Sequence, residues 1–175
     1  RPDAAGEEAA PLLFETFDPR QAQSIEVTLS NQTFRVQRTR ADWDFTAPAP
    51  FPADATAIQQ FLGSLLSLRQ QSHVSAEAIK SQTNTLAVFG LDPPVATVTI
   101  GFDSDRIALN VGTRTLIGNQ VYVQRPGLPG IAVVDGRFAE GLPAHAFAWR
   151  NRSLLPRGGP AFDRLTLVSP HGFEL

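Results

Sequence analysis

The sequence predicts an α+β fold: a mostly antiparallel β-sheet with one long amphipathic helix packed on it and short helices at its edges. Three observations predict it. Short runs alternate apolar and polar residues as half-buried strands do, and one stretch carries an apolar stripe at helical spacing. Between them, Phe89-Gly90-Leu91-Asp92-Pro93-Pro94 closes a helix, and Val95-Ala96-Thr97-Val98-Thr99-Ile100 at once begins a strand. Gly90 can take the left-handed conformation that ends a helix, with Leu91 folding back on the last turn. Pro93 and Pro94 cannot continue a helix, and Asp92 before them is biased to extended geometry.

Each element follows in order. Residues 1–11 are small, acidic and aperiodic, and predict a flexible tether. Residues 25–29 and 34–38 read as antiparallel strands around Ser30-Asn31-Gln32, and Trp43 and Phe45 as a third strand ending before the proline-rich 47–52. Asp54 is a helix N-cap. Ile58, Phe61, Leu62, Leu65 and Leu66 then form one stripe of an amphipathic helix. An extended piece at 71–74 leads to weaker helical segments at 76–80 and 85–89. From Val95 onward the chain reads as a β-meander over 95–102, 106–111, 120–124 and 131–135. Its connections are an Asp103-Ser104-Asp105 turn and a rigid Arg125-Pro126-Gly127-Leu128-Pro129-Gly130 loop. A short helix over 137–142 follows, and Gly158-Gly159-Pro160 marks a linker.

The end of the chain echoes its beginning. Leu165-Thr166-Leu167-Val168 and Phe173-Glu174-Leu175 repeat the pattern of Ile25-Glu26-Val27-Thr28 and Phe34-Arg35-Val36, each pair preceded by Leu-Leu, at 12–13 and 154–155. A chance match of short β segments and the start of a second repeated module are both open. The organisation read from the sequence is a tether at 1–11, an α+β module at 12–156, and a linker at 157–175 that begins the second module if the repeat is real.

Composition narrows function without supplying it. At 175 residues, 42% apolar and 18% charged, the chain fits one globular domain or slightly more. With no cysteine, disulfides, thiolate metal sites and thiol catalysis are excluded within it. Net charge is −2, Lys80 is the sole lysine, and the arginines are scattered from Arg1 to Arg164, so no phosphate-binding stripe points to nucleic acid. No apolar run approaches the ~20 residues of a membrane-spanning helix. With no methionine in the sequence, Arg1 is read as not a native translation start, and a signal peptide or membrane anchor is a candidate for what stood upstream.

Candidate chemistry is sparse. His73, His145 and His171 lie far apart with no metal-ligand spacing, and read as structural or surface residues. Asp42 and Asp44, and Asp103 and Asp105, could each present two carboxylates on one face for a cation or a glycosidase, but Asp-rich turns explain them more simply. Asn31-Gln32-Thr33 and Asn151-Arg152-Ser153 match the N-glycosylation pattern, a match that recurs by chance. No GxSxG, SxxK, P-loop or GxGxxG motif occurs. Trp149, Arg150 and Arg152 are the candidate partner contact, an aromatic beside two guanidinium groups, against the plainer reading of Trp149 in the core. No catalytic, cofactor or metal residue is assigned.

Taken in series, these features resemble a bacterial family, the domain of unknown function 4340. The resemblance rests on Phe17-Asp18-Pro19 with Ile25-Glu26-Val27, on Trp43 and Pro48, on the Asp54 helix, and on the "YGLDPP" signature with Phe89 in the Tyr place. The hairpin around Pro126-Gly127-Leu128-Pro129-Gly130 and the Arg150 to Leu154-Leu155 segment extend it to roughly residues 12–175. Family members usually begin with one membrane-spanning helix, lie outside the cytoplasm and accompany ABC-transporter components like those linked to gliding motility. They also tend to repeat the module. The resemblance therefore implies a membrane-anchored, periplasmic accessory protein with transporter components as partners. It brings no catalytic residues. The alternatives are a module binding envelope glycan or another small ligand, which calls for an aromatic-lined groove, and behind it a hydrolase built on dispersed Asp, Ser and His.

Overall fold

A computed structural model describes residues 10–14, 17–30, 32–40, 42–81 and 86–153, without the side chains of Ser81, Ala146 and Phe147. Residues 1–9 of the expected tether, Asn31, Thr85, Leu154-Leu155, the glycine-rich linker, the closing strand pair and His171 lie outside the described residues. Among those described, nine strands form one antiparallel sheet, as the alternation predicts. They are β1 (Ser24–Leu29), β2 (Gln32–Arg38), β3 (Trp43–Ala47), β4 (Phe51–Pro52), β5 (Ser72–Val74), β6 (Ala96–Gly101), β7 (Arg106–Arg114), β8 (Gln120–Gln124) and β9 (Ile131–Asp135). Their order is β4-β3-β2-β1-β6-β7-β8-β9-β5. Two meanders thus meet where β1 pairs β6, with Val27 opposite Val98.

Strand β4 is a departure from expectation. The proline-rich segment concealed it, yet Phe51 pairs with Phe45 and the two rings stack at 4.3 Å. Proline is tolerated there because only one edge of that strand needs its N–H. Ala10 and Pro11, the last two residues of the expected tether, accept hydrogen bonds from Arg69 Nη1 at 2.7 Å and from Gln70 N at 2.9 Å.

Helix α1 (Ala55–Leu66) starts where Asp54 predicts, its carboxylate accepting from the Thr56 and Ala57 amides. Ile58, Phe61, Leu62 and Leu65 are buried on one sheet face with Ile25, Val27, Val36, Val98, Leu109 and Val121. Leu66, the last member of the expected stripe, is instead half-exposed, because the helix ends at Ser67 and the chain turns Leu68 inward. Gly63 lies mid-helix, and a Cβ there would meet no atom within 4 Å. Gly63→Ala should therefore raise stability by about 0.5–1 kcal/mol through reduced unfolded-state entropy, read from denaturant unfolding.

The opposite face of the sheet is also covered, at one end. Helix α2 (Ala76–Ser81) leads to a tight 3-10 turn at Leu86–Phe89, in place of the expected helix end. Gly90 has φ 65°, and Leu91 N donates back to Leu86 O at 2.9 Å, so the closing geometry read from the sequence is present. Phe89 and Leu91 pack with Ile131, Val74, Ile79 and Tyr122 in a second small core. Strand β9 is accordingly buried on both faces. This segment seats against a bulge in β7, where the register to β8 shifts between Val111 and Arg114. A Cβ on Gly112 in that bulge would overlap the Phe89 carbonyl oxygen, and one on Gly90 would lie 2.6 Å from Thr113 Cγ2.

Candidate functional site

The Phe17-Asp18-Pro19 segment is a structural corner. Phe17 is buried against Phe14 and Phe102, with ring centroids 6.3 and 5.8 Å away. Asp18 caps the turn at Pro19–Gln21 by accepting from Arg20 N at 2.9 Å, and Arg38 donates to the Arg20 carbonyl oxygen. The Arg20 side-chain hydrogen bond holds the Asp18 carboxyl below its ordinary pKa. This corner builds one wall of an open groove of about 530 Å³. The other walls are the strap at 11–14, Gln70, His73 on β5, Ile107 on β7, the end of β8, and the loop at 125–130.

The groove exposes polar and apolar surface in about equal measure. Leu12 and Leu128 stand at its rim, 36% and 50% exposed, over a floor of buried Phe14, Phe17 and Val123. His73 and Arg125 are the titratable side chains among its lining residues. Arg125 is held in place: it donates to Leu13 O at 3.3 Å and lies 5.2 Å over the Phe14 ring. Gly130, at φ 87°, lets the loop close against His73, where a Cβ would overlap the imidazole.

A second feature lies at the other end of the same strands. The β7–β8 connection presents Leu116 and Ile117 at 103% and 87% exposure. The loop is nevertheless well ordered by bonds. Thr115 Oγ1 donates to Ile117 O at 2.7 Å, Thr115 N to Gln120 O at 2.9 Å, and Gly136 N to Asn119 O at 2.9 Å. Arg114 adds bonds to the Asn119 side chain and to Glu140. Isolated surface aliphatics are ordinary, but two neighbours held out by a braced loop form a candidate contact.

The residues singled out from sequence are dispersed. Trp149 is buried at 4%, packed 5.0 Å from Phe61, so its indole is a core residue and not a partner contact. Its carbonyl accepts from Asp54 N at 2.7 Å, tying the end of the module to the start of α1. Arg150 lies 5.4 Å over Phe51, and both Arg150 and Arg152 are at the surface. Asp42 sits in a turn, where its carboxylate accepts from Trp43 N, and Asp103 and Asp105 sit in the β6–β7 turn. His73 is on β5, and His145 opens the turn before Trp149. Among the described residues no three His, Asp or Glu side chains gather as a metal site, and no helix is long and apolar enough to cross a membrane. Sequence reading passed over Leu116-Ile117. Its signal was two adjacent aliphatics in a Thr-Leu-Ile-Gly-Asn turn, where polar residues are expected.

Comparison with known proteins decides the family. The family model described as domain of unknown function, DUF4340, matches residues 43–172, more than half of the chain. The chain belongs to the DUF4340 family. The match takes in the Trp43 strand, α1, the Gly90 segment and the loop at 125–130, while the Phe17-Asp18-Pro19 corner precedes it. No curated protein and no solved structure matches the chain.

One ion pair in this DUF4340 module gives a pH prediction. Asp135 accepts from Arg137 Nη2 at 2.8 Å, and this hydrogen bond lowers its pKa to about 2. A depressed carboxylate stabilises the fold above its unfolded pKa of about 3.9, and that contribution is lost as pH falls through about 2. A carboxyl NMR titration should place Asp135 near the lower value, and Arg137→Ala should return it toward the ordinary one. An unchanged midpoint in that variant would contradict the pairing.

Proposed function

We propose that this DUF4340 module is a non-catalytic, extracytoplasmic accessory module, membrane-tethered in the full-length protein, that assembles with an ABC-type transporter system. What supports the reading is the character of its outward features. The braced Leu116-Ile117 tip and the Leu12 and Leu128 groove rim offer aliphatic side chains for contact, and the titratable residues are spread among turns and strands. A glycan site would present exposed aromatics for stacking, whereas Phe14 and Phe17 form the buried floor of this groove. The family match itself names no location, and the placement follows what the resemblance implies for the family's members. Protease added to intact spheroplasts should digest the module on the full-length protein. Digestion only after membrane lysis would overturn the placement.

A further inference from the structure

We propose that the groove binds a small amphiphilic carboxylate, an anionic head carried on a short apolar body. Its lining supplies both halves that such a ligand needs. Buried Phe14, Phe17 and Val123 form an apolar floor, and Leu12 and Leu128 extend it to the rim. Beside that floor Arg125 brings a positive charge and His73 a ring N–H donor, and the lining holds no Asp or Glu. Arg20, Arg35, Arg114 and Arg137 each pair with a carboxylate of the chain itself. Among the described residues Arg125 and His73 have no such partner, so the charge in the groove is left for an anion from outside.

The polar groups are already placed. Arg125 is half-buried, donates to Leu13 O at 3.3 Å and lies 5.2 Å over the Phe14 ring. A guanidinium has five N–H donors, so this fixed group keeps donors for a carboxylate and needs little further ordering. His73 pairs with Ala132 and Ala132 with Val123, so all three stand on the sheet face that forms the floor. Gly130 presses on the imidazole from the loop that carries Arg125. Other occupants fit less well. A purely apolar one would desolvate Arg125 without a partner, a cation would be repelled, and a phosphate would leave the apolar floor unused. One guanidinium matches one carboxylate, and a groove of about 530 Å³ is of a size for small ligands.

Octanoate and N-acetyl-leucyl-leucine are the probes, an acyl chain and a peptide end that share this chemistry. Titrated into the purified chain and followed by NMR at the His73 imidazole, at least one should saturate with Kd of about 1 mM or tighter. Octylammonium, octanol and inorganic phosphate should each bind at least tenfold more weakly than that carboxylate. Leu128→Asp, at an exposed rim position, puts a carboxylate into the lining and should weaken binding at least tenfold. Arg125→Gln should do the same, with thermal unfolding showing that each variant folds, and Arg152→Ala should change nothing. Saturation by neither carboxylate up to about 10 mM would overturn the proposal. So would octylammonium or octanol binding as tightly, or full binding by the folded Leu128→Asp chain. The site stands apart from the assembly reading: the purified chain contains no transporter subunit, so failure here leaves that reading to its own test.

Discussion

Trp149→Ala should destabilise the folded chain by about 3–5 kcal/mol, lowering Tm by roughly 10 °C. The indole fills the space between α1 and the end of the module, 5.0 Å from Phe61, whose ring also stacks with Phe138 at 6.1 Å. Removing it opens a cavity under α1 that three separate segments would have to collapse to fill. It also loosens the chain whose carbonyl binds Asp54 N, next to the cap of that helix. Arg152→Ala, altering an exposed neighbour in sequence, should change stability by no more than about 0.5 kcal/mol. Thermal unfolding of the two variants separates a core residue from a surface one. Equal small effects would show that Trp149 does not hold this corner.

Gly112→Ala should cost about 3 kcal/mol, a large effect for one added methyl group. Its Cβ would overlap the Phe89 carbonyl and lie 3.1 Å from Leu91 Cγ. Backbone carbonyl and buried side chain both resist displacement, so either β7 loses its bulge or the segment at 86–91 lifts from the sheet. The second outcome would expose Phe89, Leu91 and Ile131 together. Denaturant unfolding gives the magnitude, and hydrogen exchange at the Leu91 amide shows whether that segment is the part that moves. Wild-type stability with Leu91 still protected would contradict the close approach.

The parts legible in the sequence were those set by local chemistry. Alternation at 25–29 gave β1 to within one residue and at 34–38 gave β2 without its first two residues, Gln32 and Thr33, Asp54 gave the start of α1, and Gly90 gave a left-handed closure. What Gly90 and its prolines close against was not legible. The partner is the β7 bulge at Gly112 and Thr113, more than twenty residues downstream, and the small core there draws on Val74, Ile79, Leu86 and Tyr122 without any period. The groove was hidden for the same reason, since its walls come from residues 11–14 and 17, 70 and 73, 107 and the 123–132 stretch, which only the sheet brings together. Trp149 could be weighed but not placed, because an aromatic beside two arginines reads alike at an interface and at the edge of a core. Leu116-Ile117 was the reverse case, readable in principle from aliphatics standing in a turn.

The central claim, that this module works by assembling with a transporter system and not by chemistry of its own, is most directly tested by affinity capture. The full-length protein would be recovered from membranes under mild solubilisation and its companions identified. Reproducible recovery of an ABC-type transporter subunit, absent from a control capture of an unrelated anchored protein, is the predicted result. Recovery of the protein without any such subunit would contradict it.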